Sequence, residues 1–152
     1  MPRAKTTLMP LPPAPPATSP AVRSSMVGNR SANTRPEQSM RDALTALGLD
    51  HFVLHPALPG KPDITFYAEK VAVFVHGCYW HRCPHCSPHF PSTNQDYWTA
   101  KFARNRARDK RNTTALKELG WLVVVVWECK VRKNPKQQAR RVQSWMLKRE
   151  QC

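Results

Sequence analysis

The apolar positions along this chain change period several times, and each change predicts an element. Met40, Ala43, Leu44 and Leu47 recur at three- and four-residue spacings, which predicts a helix with one buried face. Thr34-Arg35-Pro36-Glu37 opens it with an N-cap, a first-turn proline and a capping-box acid; Gly48 closes it. Short extended segments follow at Phe52–Leu54 and Asp63–Tyr67. The second turns through Ala68-Glu69-Lys70 into the β-branched run Val71–Val75, a predicted hairpin. From Asn94 or a neighbour, a long helix is expected to reach Glu118 and Leu119 and stop at Gly120, with Trp98, Phe102, Ala115 and Leu119 inward. Trp121–Trp127 is almost wholly apolar, as a strand covered on both faces would be. Asn134-Pro135 begins a last helix with Ala139, Val142, Trp145 and Met146 inward. The order α-β-β-β-α-β-α implies an α/β fold, one mixed sheet flanked by helices.

Residues 1–22 break this pattern, holding 7 of the chain's 15 prolines. Proline denies both helix and ladder, so a disordered, partly polyproline-II tail is expected there, followed by one domain over 23–152. No apolar run approaches the length of a membrane span, and no apolar leader segment opens the chain. The expectation is a soluble cytoplasmic protein.

Charge narrows the function classes. Against 24 Lys and Arg stand only 10 Asp and Glu, a formal net charge of +14. A polyanion is the natural partner, and nucleic acid is the commonest. Lys101, Arg104, Arg106, Arg108, Lys110 and Arg111 crowd one helix, where they can contact phosphate or simply form a solvated face. Tyr79, Trp80, Tyr97 and Trp98 lie beside them in sequence and suit stacking on bases, although Trp98 can equally anchor its helix.

Three of the five cysteines cluster as Cys78-x4-Cys83-x2-Cys86, with Cys129 distant and Cys152 last. That spacing fits a tetrahedral zinc site of Cys78, Cys83, Cys86 and Cys129, with His85 as a rival ligand and reduced buried thiols as the metal-free alternative. If the strands preceding Cys78 and Cys129 are neighbours, the sulfurs meet at one end of the sheet. Asp63 follows the turn Pro59-Gly60-Lys61-Pro62, where it can hold a hard cation or serve only as a turn residue. His76 and His81 leave the strand that pairs with it and can move protons near neutral pH, unless they are spare zinc ligands or loop residues. Asp109, the single acid in the basic helix run, can orient a histidine or pair within its helix.

Taken in order, Arg23-Ser24-Ser25-Met26, Thr34 to Glu37, Leu58 to Asp63, Phe74 to His81, Trp98 to Asp109 and Leu119 to Cys129 resemble the very-short-patch repair (Vsr) endonuclease family. The resemblance implies a restriction-endonuclease-like three-layer α/β/α fold, Mg²⁺ for catalysis and a structural Zn²⁺. It implies nicking of double-stranded DNA 5′ to the thymine of T:G mismatches left by 5-methylcytosine deamination. Residue by residue, it makes Asp63 the magnesium aspartate, with the Val75 backbone carbonyl beside it. His76 and His81 become the active-site histidines, Asp109 the supporting acid and Glu37 the acid of the first helix, although the capping box alone also explains Glu37. Tyr79, Trp80 and Trp98 would wedge the mismatch open, Met26 would contact the opposite groove, and Lys101, Arg104 and Arg108 would bind DNA. Cys78, Cys86 and Cys129 match zinc ligands, with Cys83 or His85 completing the set. Val75 departs from the threonine of some members, and the Glu-x-Lys of many restriction-type sites is absent. A monomer is expected, with mismatch-repair proteins as further candidate partners. Two other readings compete: a related nuclease of other specificity, and a zinc-stabilised DNA-binding module without catalysis.

Overall fold

The computed structural model describes residues 10–17, 19–20 and 32–151. Met26, and the expected domain boundary between residues 22 and 23, lie outside them. Labels below number the elements of residues 32–151.

Helix α1 (Arg35–Ala46) forms as its capping signals dictate. Thr34 accepts from the Glu37 N–H, and Glu37 reaches back to the Asn33 N–H at 2.8 Å. Strand β1 (Ile64–Phe66) pairs antiparallel with β2 (Val71–His76), which pairs parallel with β3 (Leu122–Trp127). Between β2 and β3 run α2 (Cys78–His81) and α3 (Gln95–Glu118); α4 (Glu128–Lys133) and α5 (Pro135–Glu150) follow β3.

Side chains alternate across β2. Val71 and Val73 join Met40 and Leu44 of α1, Val131 of α4, and Ala139, Val142 and Met146 of α5 in the larger core. Burying each of these Val, Leu and Met side chains contributes roughly 1.5–3 kcal/mol. On the opposite face Ala72 and Phe74 meet Leu116 of α3, together with Trp121 and Val123. The sheet is therefore mixed and three-stranded, with helices on both faces.

Several expectations change. Phe52–Leu54 forms no strand; only Val53 bridges, to Thr65, because β1 has just three residues to pair with. Phe102 is buried as expected, but Leu116 takes the other inward place on α3 and Leu119 is 55 % exposed, since the helix ends before Leu119 can turn inward. Trp145 is 40 % exposed, because α5 turns Val142 and Met146 to the sheet and leaves the indole beside the Lys148 ammonium. β3 lies at the sheet's edge, so its burial is partial, and Trp121 is buried just before it. Asn94 precedes α3 in a left-handed conformation with no side-chain cap. The short helices α2 and α4 were not expected from the periodicity; both are too short to show one.

Register is what positions the site. His76 pairs with Trp127, so β2 and β3 leave the sheet at the same end. β1 runs the other way, which sets Asp63, at its start, beside the exit of β2.

Candidate active site and metal centre

The parallel register brings Cys78 and Cys129 together, each two residues beyond the pair His76 and Trp127. Cys83 and Cys86 fold back to them, and the four sulfurs lie within 4.8 Å of one another. Cys83 Sγ and Cys129 Sγ are 3.8 Å apart. That is too far for a disulfide, and it is the separation of two thiolates about 2.3 Å from one tetrahedral ion. The Cys129 N–H donates to Cys78 Sγ at 3.3 Å and the His85 N–H to Cys83 Sγ at 3.4 Å, contacts that favour thiolates. The set fits a closed tetrahedral metal site. The His85 ring is not part of it and lies near Trp127 instead.

One cleft of about 1080 Å³ opens beside this cluster, lined among others by Glu37, Asp63, Val75, His76, His81 and Asp109. Asp63 Oδ2 accepts the Val75 N–H at 2.7 Å. Burial, then the backbone bond opposing it and the Glu37 charge adding to it, leaves the Asp63 carboxyl raised to about 7. Such a group exchanges its proton readily for a hard cation, and the oxygens gathered here suit one.

His81 Nδ1 lies 2.5 Å from Asp109 Oδ2. A carboxylate only accepts, so Nδ1 carries the proton, and in the neutral ring Nε2 is left as the acceptor. Asp109 therefore partners a histidine rather than an intrahelical cation. Burial would raise its pKa, but the His81 hydrogen bond and the cationic surroundings outweigh that and hold it below the usual carboxylate range. His76 stacks on His81 at 4.0 Å with the rings 7° from parallel. Burial, and then the His81 charge, pushes His76 down to about 4, so it is neutral near pH 7.

The aromatic residues sit at the rim. Tyr79 and Trp80 meet edge to face at 5.1 Å, and Trp80 and Trp98 lie 6.1 Å apart. The Lys101 ammonium stands over Trp80 and Trp98 at 5.2 and 5.3 Å. Trp98 also packs on buried Phe102, so it anchors α3 as well as facing the cluster. Lys101 and Arg108 line the cleft, whereas Arg104 is exposed on α3 outside its lining.

Three lining residues carried no role in the sequence reading. Asn105 donates to the Trp80 carbonyl at 3.2 Å, and Glu128 accepts the Cys78 N–H at 3.1 Å, tying α2 to α3 and α4. His55 lies between Glu37 and Asp63. Its only sequence signal was an imidazole in the turn before Pro56, eight residues from Asp63.

The family model described as DNA mismatch endonuclease Vsr matches residues 17–87. The type II nicking enzyme V.XorIIP of Xanthomonas oryzae pv. oryzae is 43% identical over 67% of this chain and 75% of that protein. This chain belongs to the Vsr endonuclease family. The DNA mismatch endonuclease Vsr of Escherichia coli is 38% identical over 68% of this chain and 67% of its own length. The type II nicking enzyme V.NaeI of Lentzea aerocolonigenes is 44% identical over 68% of this chain and 64% of its own. As a Vsr-family member the protein is a DNA-nicking endonuclease, a hydrolase of phosphodiester bonds. Among the described residues no helix is long and apolar enough to cross a membrane.

Proposed function

We propose that this endonuclease nicks double-stranded DNA 5′ to the thymine of T:G mismatches, with Mg²⁺ in the cleft and Zn²⁺ on the four cysteines. The observation that carries the reading is the hydrogen-bonded pair His81–Asp109, stacked on His76 and facing Asp63 across one cleft. Phosphodiester hydrolysis needs an activated water, a sink for developing charge and help for the leaving oxygen. Mg²⁺ held by Asp63 and the Val75 carbonyl would supply Lewis acidity. His81 Nε2 takes the proton from water, while Asp109 holds the ring and stabilises its charged form. His76, neutral at pH 7, offers a hydrogen bond to the phosphate without repelling His81. The two imidazole roles can exchange, since the rings share one face. Glu37 would help hold the cation or orient the attacking water.

Lys101 and Arg108 grip phosphates, with Arg104 and Met26 as outer DNA contacts, and Tyr79, Trp80 and Trp98 wedge into the base stack. Zn²⁺ would hold the α2 end of the site to β3. We assign the nuclease domain to residues 23–152, monomeric and restriction-endonuclease-like in its layers, with the proline-rich segment as a tail. Action on the bacterial chromosome in the cytoplasm, alongside mismatch-repair proteins, follows from that substrate.

A second reading is favoured by relatives named type II nicking enzymes: nicking at a different mismatch or in a restriction setting. Duplexes carrying each mismatch, incubated with Mg²⁺ and then with EDTA, separate these readings. The expected result is one EDTA-sensitive nick immediately 5′ to the thymine of T:G. Preference for another mismatch selects the second reading, and binding without any nick would defeat both.

A further inference from the structure

Glu37, His55 and Asp63 converge from three separate segments, each offering a donor atom within 4.8 Å of the others. His55 Nε2 is 3.6 Å from Glu37 Oε2, and His55 Nδ1 is 3.8 Å from Asp63 Oδ1. An imidazole bridging two carboxylates by hydrogen bonds would draw each to about 2.8 Å. Here neither contact closes, and His55 Nε2 is buried without a hydrogen-bond partner. A buried ring nitrogen beside two carboxylates ordinarily finds a proton acceptor or a metal. Ligand atoms about 2.1 Å from one ion stand about 3 Å apart at right angles and about 3.5 Å apart at tetrahedral angles. Only one ring nitrogen can face a given ion: the 3.6 Å gap from Nε2 to Glu37 is close to a ligand separation, and one donor atom from each of the three residues lies within 4.8 Å of the others.

The surrounding contacts leave room for an ion. Asp63 spends Oδ2 on the Val75 N–H, and its other oxygen, Oδ1, faces His55. Glu37 Oε2 takes the Asn33 N–H and the Arg41 guanidinium, which fix the carboxylate, while Oε1 meets only the Thr34 hydroxyl at 3.3 Å. The His55 backbone is pinned too. It holds φ +46, its N–H donates to the Pro62 carbonyl at 3.2 Å, and Pro56 beside it is buried. These contacts fix the backbone from which the ring projects.

We propose that His55, with Glu37 and Asp63, ligates a divalent cation in the cleft, and that its nitrogen biases this site toward Mn²⁺ over Mg²⁺. The proposal rests on the reading of Asp63 as a metal ligand. Imidazole favours first-row transition ions, whereas Mg²⁺ prefers oxygen and keeps its waters. Two carboxylates and one imidazole form a mixed set of that kind.

The test uses zinc-loaded protein titrated with Mn²⁺, with free Mn²⁺ read by electron paramagnetic resonance and Mg²⁺ affinity by competition. Electron spin-echo modulation reports imidazole nitrogen on the bound ion. His55→Gly removes the donor and suits the left-handed backbone; His55→Asn, which also tolerates it, covers the case in which the glycine variant misfolds. Wild type should bind Mn²⁺ more tightly than Mg²⁺. His55→Gly should lose at least about tenfold in Mn²⁺ affinity and little in Mg²⁺ affinity. In both variants the imidazole modulation from this ligand should disappear. Unchanged Mn²⁺ affinity and modulation in the variants overturn the proposal while leaving Asp63 as a metal ligand. Wild type and Asp63→Asn binding both ions equally poorly would overturn that reading of Asp63 as well.

Discussion

Asp109 lies 28 positions from His81 in the chain, on the middle of a strongly basic helix, yet it hydrogen-bonds that imidazole. Removing the charge while keeping the shape tests what the pair does. In Asp109→Asn the amide can donate to Nδ1, which favours the wrong tautomer and turns the accepting Nε2 into a donor. Nicking should fall by about 10²- to 10⁴-fold, while affinity for the duplex changes little. Single-turnover cleavage and a binding titration read the two separately; a wild-type nicking rate would remove His81–Asp109 from the chemistry. The surrounding residues were unevenly visible in the sequence. Asp63, His76 and His81 stood close together along the chain, so local pattern was enough to single them out. His55 was missed because a histidine in a turn carries no period and no motif; only the closure of that turn against α1 brings it to Glu37.

At the scale of elements, the four cysteines join short pieces that otherwise rely on single hydrogen bonds from Asn105 and Glu128 and on the aromatic cluster around Trp98. α2 has one turn, and the segment from residue 82 to 94 contains no strand and no helix. Cys78 and Cys83 are buried, and Cys129 begins the exit from β3. Metal removal should therefore loosen residues 76–86 and 128–130 first, leaving the larger core of α1, α5 and the sheet folded. Hydrogen exchange of the chelated protein should rise in those segments, and its melting temperature should drop by roughly 10 °C or more. An apoprotein with unchanged exchange and melting would show that the thiols need no metal. The expected cysteine arrangement came from spacing alone, but its assembly required β2 and β3 to be parallel neighbours, and no local pattern specifies which strands pair.

For the whole molecule, two buried groups of the cleft pull stability in opposite directions as pH changes. Asp63 holds its proton up to about 7 against an ordinary 3.8, so the folded state binds protons more tightly there. Its contribution is therefore present at low pH and is lost as pH rises toward 7. His76 titrates near 4 against an ordinary 6.5, so the unfolded state binds protons more tightly, and its contribution grows as pH rises through that window. Without a divalent cation in the cleft the two largely offset each other between about pH 4 and 6.5. Asp63→Asn, which still accepts the Val75 N–H, removes one of them. Its melting temperature should climb more steeply than that of wild type from about pH 4.5 to 6.5. Above pH 7 it should be the more stable protein, by an amount on the order of 4 kcal/mol. Parallel melting profiles for the two zinc-loaded proteins would show that Asp63 is not held protonated by its surroundings.

By itself the sequence determined the elements that are periodic or capped: α1 with its Thr34 cap, the hairpin of β1 and β2, the apolar β3, and the long and last helices. It determined the basic charge, the cysteine spacing and the motif order that marks the family. These are local properties, set by spacing of 2, 3 or 4 residues and by side-chain chemistry. The tertiary structure decided which contacts form between distant segments. The pairing of His76 with Trp127 aligned the strand exits, and α3 crossing the far face of the sheet carried Asp109 to His81. The way α5 settled on the core left Trp145 outside. Such outcomes depend on how whole faces of apolar surface are best covered, a property of all the elements together that no single stretch of the chain encodes.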